Sequence, residues 1–289
     1  VIVEKHRGWH MTISHPAKVK KILASGIDSL VISMNITWDS DDFFKYLDEL
    51  KEKAKQNSID YQGQLKHFNL NEIFPFTIKP HGTKGFSWIL TGHDFTYKIA
   101  NSNEPSSRPN AMIEIRSEAL WRLGAENILN ISLKIIEANG GNIVDAKPSR
   151  VDLCIDFLMS EKKWSQNILK YAVTRATDYA PYYRNKNLTG IRIGKGDISA
   201  RLYDKPLEIE QQSKKYWMYD IWGIQETPEK KKIIRIEFQL RRDVLQDLII
   251  NNIDDLFQKI DNIWAYCTKN WLKFQDSPGL HHTQRSTFK

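Results

Sequence analysis

Four stretches of the chain alternate apolar and polar side chains with a period of two. In 149–157, Val151, Leu153, Ile155 and Phe157 fall on one side and Arg150, Asp152, Cys154 and Asp156 on the other. In 233–241, Ile234, Ile236, Phe238 and Leu240 oppose Arg235, Glu237, Gln239 and Arg241. In 198–205, Arg201, Tyr203 and Lys205 share a side, with Leu202 facing away. In 111–116, Met112, Glu114 and Arg116 oppose Ile113 and Ile115. A strand sends successive side chains to opposite faces, so each stretch reads as a half-buried antiparallel strand. Their apolar faces call for a covering layer of helices.

The spacing elsewhere fills in the order of elements. A strand is expected over 29–38, then a helix capped by Asp39 or Ser40 and running to about Gln56, with Phe43, Phe44, Leu47 and Leu50 on its apolar side. Residues 74–100 read as a meander with turns at Gly82–Gly85 and Thr91–Asp94, and 102–110, with Pro105 and Pro109, as a loop. Helices are expected over 125–138, ended by Gly140-Gly141, over 161–177 and from Asn252 to about Phe274. The strand at 149–157 follows Pro148, and Gly194–Asp197 joins strands 189–194 and 198–205. The expected class is α+β: a mainly antiparallel, curved sheet with helices packed on one face. The strand-helix-strand order recurs on either side of about residue 110, which suggests two similar halves without a residue-level repeat. The expected organisation is an N-terminal segment 1–25, a catalytic domain 26–275 and a polar tail 276–289.

Composition narrows the partner. Among 289 residues, 42 Lys and Arg against 35 Asp and Glu give a net charge of +7, which favours an anionic partner. No apolar run reaches the length of a membrane span, and Val1–His10 is too polar for a signal peptide. Cys154 and Cys267 stand far apart, without zinc-ligand spacing, which fits a reduced, cytoplasmic setting. His6, His10, His15, His281 and His282 lie near the ends, and no His-hydrophobe-His pair occurs. A segment upstream of Val1 is left open.

Tyr203 is the candidate centre of chemistry. A tyrosine pKa is ordinarily about 10, neighbouring positive charge favours the phenolate, and tyrosine is among the side chains that form covalent intermediates. Arg201 and Lys205 would hold a phosphate beside it, with Arg235 contacting the same group. The same alternation also describes an ordinary edge strand with solvated cations, and that reading stands beside the first. If the four strands share a sheet, Asp152, Asp156, Glu237 and Glu114 gather near Tyr203. Acidic oxygens suit Mg²⁺ or Mn²⁺, and such an ion polarises a phosphoryl oxygen. Cross-strand ion pairs with Arg150, Arg201 or Arg235 are the alternative use of these carboxylates. Asp152 and Asp156 stand about 13 Å apart on an ideal strand at ~3.3 Å per residue, so at most one ligates directly. Asp152 is the expected one. In Asp178–Lys186, Tyr179, Tyr182 and Tyr183 beside Arg184 and Lys186 are suited either to stacking on unpaired bases or to packing in a loop. Tyr216, Trp217, Tyr219 and Trp222 read as helical core packing, and Lys230–Lys232 as a solvated turn.

The order Arg150-Val-Asp-Leu-Cys-Ile-Asp156, Arg201-Leu-Tyr-Asp-Lys-Pro-Leu-Glu208 and Arg235-Ile-Glu-Phe-Gln-Leu-Arg241 resembles the Rep_trans family. These are plasmid rolling-circle replication initiators and related relaxases of integrative conjugative elements. Gly26–Ser33 looks like that family's opening strand, and Glu114–Leu123 like its strand-to-helix segment; the resemblance covers roughly residues 26–245. The hairpin Gly194-Lys-Gly-Asp197 departs from the family's frequent Gly-Ser. The resemblance implies that Tyr203 attacks a DNA phosphate at a replication origin, in a hairpin or single-stranded nick site, with a divalent metal. It further implies a homodimer and a host helicase as partner. A relaxase acting at a transfer origin, or an inactive origin-binding module, are the alternatives.

Overall fold

A computed structural model describes residues 21–67, 72–104 and 106–275. The expected N-terminal segment lies largely, and the polar tail wholly, outside the described residues, as do the five histidines near the ends. In chain order the strands and α-helices are β1 (Ile22–Trp38), α1 (Asp42–Asn57), β2 (Tyr61–Lys66), β3 (Ile73–Ile78), β4 (Trp88–Thr91), β5 (Phe95–Ile99), β6 (Ala111–Ile115), α2 (Ser117–Leu123), α3 (Ala125–Ala138) and β7 (Gly141–Ser160). They continue with β8 (Ala172–Thr174), β9 (Tyr179–Arg184), β10 (Asn187–Ile193), β11 (Ile198–Asp204), α4 (Lys205–Glu208), α5 (Met218–Trp222), β12 (Lys231–Arg241), α6 (Arg242–Asp247), α7 (Ile253–Gln258), α8 (Ile260–Ala265) and β13 (Leu272–Phe274). The fold is α+β, with an open antiparallel sheet of 11 strands in the order β2-β3-β4-β5-β6-β1-β7-β12-β11-β10-β9. β8 and β13 make a separate pair. Among the described residues no helix is long and apolar enough to cross a membrane.

The chain divides into two compact units, and the long strands β1 and β7 pass through both. One comprises Ile27–Val151 and Arg241–Phe257 and holds the meander. Its core is aromatic: Phe74 stacks on Phe95 at 4.6 Å, and Phe44 of α1 stacks on Trp88 at 5.1 Å. Tyr97 is fully buried and donates to the Ser132 carbonyl at 2.7 Å, and burial pushes its pKa well above the ordinary tyrosine value. The ladder between β1 and β6 runs from Leu30↔Ile115 to Met34↔Ala111. Past that point the backbone of β1 still needs partners, and two asparagine side chains supply them. Asn110 accepts from Ile36 N–H at 2.9 Å and donates to Ile36 O at 2.7 Å. Asn103 does the same for Trp38, donating to its carbonyl at 3.0 Å and accepting from its N–H.

The other unit comprises Asp152–Leu240 with the described parts of Val1–Gly26 and Gln258–Lys289. Here the apolar face of β12 packs on Trp264 and Trp271, whose rings lie edge-on to Phe238 at 5.6 and 6.2 Å. Two expected helices are replaced. Residues 161–177 form short 3₁₀ turns at Glu161–Lys163 and Gln166–Tyr171 and then β8, not an α-helix. Val173 and Thr174 are β-branched, which suits a strand, and β8 finds a partner in β13, with Leu272↔Thr174 and Phe274↔Ala172. The long C-terminal helix is instead α7, α8, a π-turn at Tyr266–Trp271 and β13. The segment 178–186 is a strand rather than a loop. β9 returns to β10 across Asn185 and Lys186, both at positive φ (48° and 64°), as the tight hairpin turn demands. The strand expected at 149–157 runs on through Pro148, whose carbonyl accepts from Arg242 at 3.1 Å; a proline lacks only its own N–H.

Asn110→Ala strips the pairing of Ile36 at a buried position. We expect it to destabilise the protein by about 1–3 kcal/mol, read as a lower urea midpoint with an unchanged slope.

Candidate active site

The register of three strands builds the site. On β11 and β12, Arg201 lies opposite Glu237 and Tyr203 opposite Arg235. On β10, Gly190 lies opposite Tyr203 and Arg192 opposite Arg201. Directly opposed residues of an antiparallel pair project from the same face, and diagonal neighbours remain within reach of long side chains. Tyr203 uses that diagonal: its hydroxyl donates to Glu237 Oε2 at 2.7 Å. The other oxygen of the same carboxylate accepts from the Arg201 guanidinium. Glu237 is 2% exposed, whereas the Arg201 side chain is 48% exposed. The acceptor is therefore fixed inside the sheet, and the cation reaches solvent. Burial alone would lower the Arg201 pKa, but Glu237, Tyr203 and Asp152 together raise it, so Arg201 stays cationic.

Asp156 and Arg235 have another task. Both are fully buried, and they meet in a forked pair: Arg235 Nε donates to Oδ1 at 2.6 Å and Nη2 to Oδ2 at 2.7 Å. Trp222 of α5 donates its indole N–H to Oδ2 at 2.8 Å, and Met218 Sδ lies 3.7 Å from Arg235 Nη2. This corrects two expectations. Arg235 does not reach the surface to contact a phosphate, because α5 covers it. Asp156 does not face a metal, because three donors occupy its oxygens.

Lys205 is also placed differently from the expectation. β11 ends at Asp204, whose Oδ1 accepts from Leu207 N–H at 3.2 Å and so caps α4, with Pro206 in its first turn. Lys205 thus leaves the strand face. It is buried, its ammonium 2.6 Å from Glu208 Oε2 and 5.5 Å from the centre of the Tyr203 ring. Glu208 also accepts from Ser213 Oγ at 3.2 Å. Lys232, expected in a solvated turn, pairs with Asp204 at 2.6 Å.

Asp152 is buried on the same face as Asp156 by strand alternation, and its charge acts on Arg201. Glu114 belongs to the meander unit, where it meets Lys98 at 3.4 Å. Among the described residues no group of three or more His, Cys, Asp or Glu converges on one point. On the Tyr203 face this leaves Asp152 and Glu237 as the buried carboxylates, and Glu237 would have to give up part of its bonding to Arg201 or Tyr203 to hold a cation. Mg²⁺ or Mn²⁺ would need no more than these, since they bind through one or two carboxylates and complete their shell with water and phosphate oxygens. Both cysteines are free and buried, and burial pushes the Cys267 thiol pKa up, which disfavours a thiolate nucleophile there.

Tyr182 and Tyr183, each 50% exposed, leave β9 on opposite faces. Tyr182 lies opposite Gly190, whereas Tyr183 turns away and donates to Gln166 at 2.7 Å. Arg184 and Lys186 sit exposed at the β9–β10 turn. Sequence reasoning missed Trp222 as the cover of Asp156, Gly190 as the neighbour of Tyr203 and Arg192 as the neighbour of Arg201. The last two were within reach, because the turn Gly194–Asp197 fixes which residues of β10 and β11 face each other. No family model matches the chain, and no curated protein matches it.

Replacing Arg235 with Ala leaves the Asp156 carboxylate buried without its cation. We expect a loss of about 3–5 kcal/mol, measured by urea unfolding followed through tryptophan fluorescence.

Proposed function

We propose that this protein is a DNA nickase and strand transferase of the kind that starts rolling-circle plasmid replication, with Tyr203 as nucleophile. The observation that carries the reading is the Tyr203 hydroxyl, half-buried on a sheet face and donating at 2.7 Å to a buried carboxylate whose second oxygen is held by Arg201. A structural tyrosine is satisfied by any acceptor, as Tyr97 is by a backbone carbonyl, whereas the acceptor at Tyr203 is a carboxylate able to take a proton. A nucleophilic tyrosine uses such a base, because the hydroxyl must lose its proton as it attacks. The net charge of +7 agrees with a polyanionic substrate.

In this mechanism the Tyr203 oxygen attacks the phosphorus of a phosphodiester and its proton passes to Glu237 Oε2. The bond from phosphorus to the 3′ oxygen breaks, and that oxygen takes a proton from water. The products are a 5′-phosphotyrosine and a free 3′-OH. The ester linkage is conserved, so the 3′-OH reverses the reaction without a nucleotide cofactor. Arg201, exposed beside the nucleophile, holds the phosphate under attack and neutralises its developing charge. Lys205, its ammonium 5.5 Å from the centre of the Tyr203 ring, favours the phenolate electrostatically from within the protein. A divalent ion held by Asp152 and Glu237 would supply a Lewis acid to the phosphoryl oxygens. The target strand must be unpaired, because a tyrosine anchored in a sheet cannot enter a stacked duplex.

Three outcomes are expected. Tyr203→Phe binds a labelled oligonucleotide but forms no denaturant-stable adduct on a gel; a normal adduct yield would move the nucleophile elsewhere. EDTA abolishes nicking while leaving binding, and full activity in EDTA would remove the metal from the scheme. Lys205→Ala lowers the rate of adduct formation at least tenfold with a smaller change in affinity, as a group acting on the transition state should.

A further inference from the structure

On the side of the sheet away from Tyr203, strand alternation places Phe157 of β7, Leu202 of β11 and Ile236 of β12. Leu202 lies opposite Ile236, and all three residues are at most 5% exposed. Such a face calls for a helix whose apolar stripe fills the space above it. The chain places two 3₁₀ turns there instead, Glu161–Lys163 and Gln166–Tyr171, followed by β8 paired with β13. A 3₁₀ turn is narrower than an α-helix and eclipses every third side chain, so it covers less of the sheet. A cavity of about 390 Å³ remains between these elements, within one compact unit. Close-packed interiors leave few voids larger than a water molecule, so a cavity of this size calls for a reason. It falls within the range of about 300–1,000 Å³ usual for small-molecule sites.

The lining divides by chemistry. Phe157, Leu202 and Ile236 form an apolar floor, and Met159, Ile168 and Phe274 extend it. The 3₁₀ turns add Lys162 and Lys163, both exposed, with Ser165 and Asn167 as further hydrogen-bond donors. No Asp or Glu belongs to the lining among the described residues. Two cations without a carboxylate among them favour an anionic group at the solvent edge. The recessed floor favours a slender apolar body over a broad protein surface, since apolar cavities take apolar ligands readily.

We propose that this cavity is a binding site for a small amphiphilic anion. Its apolar chain lies on Phe157, Leu202 and Ile236, and its carboxylate or similar head group meets Lys162 and Lys163. Removal of the chain from water drives binding, and the two ammonium groups select the charge of the head. The site is independent of the reading of Tyr203 as a nucleophile, because it lies on the other side of the sheet.

The test uses the full chain and isothermal titration with sodium decanoate below its micelle-forming concentration. Saturable one-to-one binding is expected, tightening about fourfold for each methylene added from hexanoate to decanoate, the worth of a buried CH₂. Decanol carries the same chain without the charge and should bind about fivefold more weakly. The double variant Lys162→Ala/Lys163→Ala should lower decanoate affinity about fivefold, as the loss of two partly exposed charge contacts would, and leave decanol unchanged. Ile168→Trp narrows the cavity and should weaken both ligands about tenfold or more, because the chain loses the space it needs. No saturable binding of decanoate, or wild-type affinity in Ile168→Trp, would overturn the site. Equal affinity for decanoate and decanol, or wild-type decanoate affinity in the double lysine variant, would overturn its assignment to an anion. Should Ile168→Trp fail to fold, Met159→Phe narrows the same cavity by a smaller change, and the exposed lysine pair is read without disturbing the core.

Discussion

The forked ion pair between Asp156 and Arg235 is the constraint on which the site depends. Both side chains are fully buried, and Trp222 adds a third hydrogen bond to the same carboxylate. A buried ion pair is not by that fact more stable than well-packed hydrocarbon, but losing one partner is severely unfavourable. Its effect is to specify geometry. A fork onto both carboxylate oxygens tolerates little sliding, so β7 and β12 are held in one register. Once Arg235 is fixed, Tyr203 stands opposite it and Glu237 two residues further along. A slip of one residue would turn Glu237 to the other face of the sheet, and the Tyr203 hydroxyl would lose its acceptor.

Around that register the chain separates charge by depth. Glu237 is buried, and its oxygens are divided between a tyrosine and an arginine. Arg201 extends outward, stays cationic and is free to meet an anion at the surface while still holding the carboxylate. Asp204 turns the backbone out of the strand, and as a result the Lys205 ammonium lies 5.5 Å from the centre of the Tyr203 ring. Gly190 lets the strands pack closely beside Tyr203, since a Cβ there would come within 3.2 Å of both Leu202 O and Tyr203 Cβ. Tyr203 is thus packed among charged partners, with Glu237 on its hydroxyl and Lys205 against its ring.

The meander unit obeys the same rule that every buried backbone group must find a partner. Where β6 ends, Asn110 and Asn103 continue the ladder along β1 with side-chain amides. Tyr97 behaves likewise, its buried hydroxyl reaching the Ser132 carbonyl. No extra strand is needed to finish the sheet at this point, since an amide side chain carries the same donor and acceptor as the backbone it replaces.

Periodicity by itself determined much of this protein. The alternation in 198–204 and 233–241 assigns Arg201 and Tyr203 to one face and Glu237 to the corresponding face of its partner strand, and the helix over 125–138 ends where Gly140-Gly141 stops it. Alternation says which side of a strand a residue takes. It is silent on which residue of another strand lies opposite, so it could not decide whether Asp156 meets a metal or Arg235, nor that Arg192 faces Arg201. It also misread 161–177 and the end of the long C-terminal helix, where β8 and β13 become strands only by pairing with each other across about a hundred residues of chain. Local pattern is a property of neighbours in sequence. Register, burial beneath Trp222 and the sharing of Glu237 are properties of groups brought together from distant segments, and tertiary structure alone decided them.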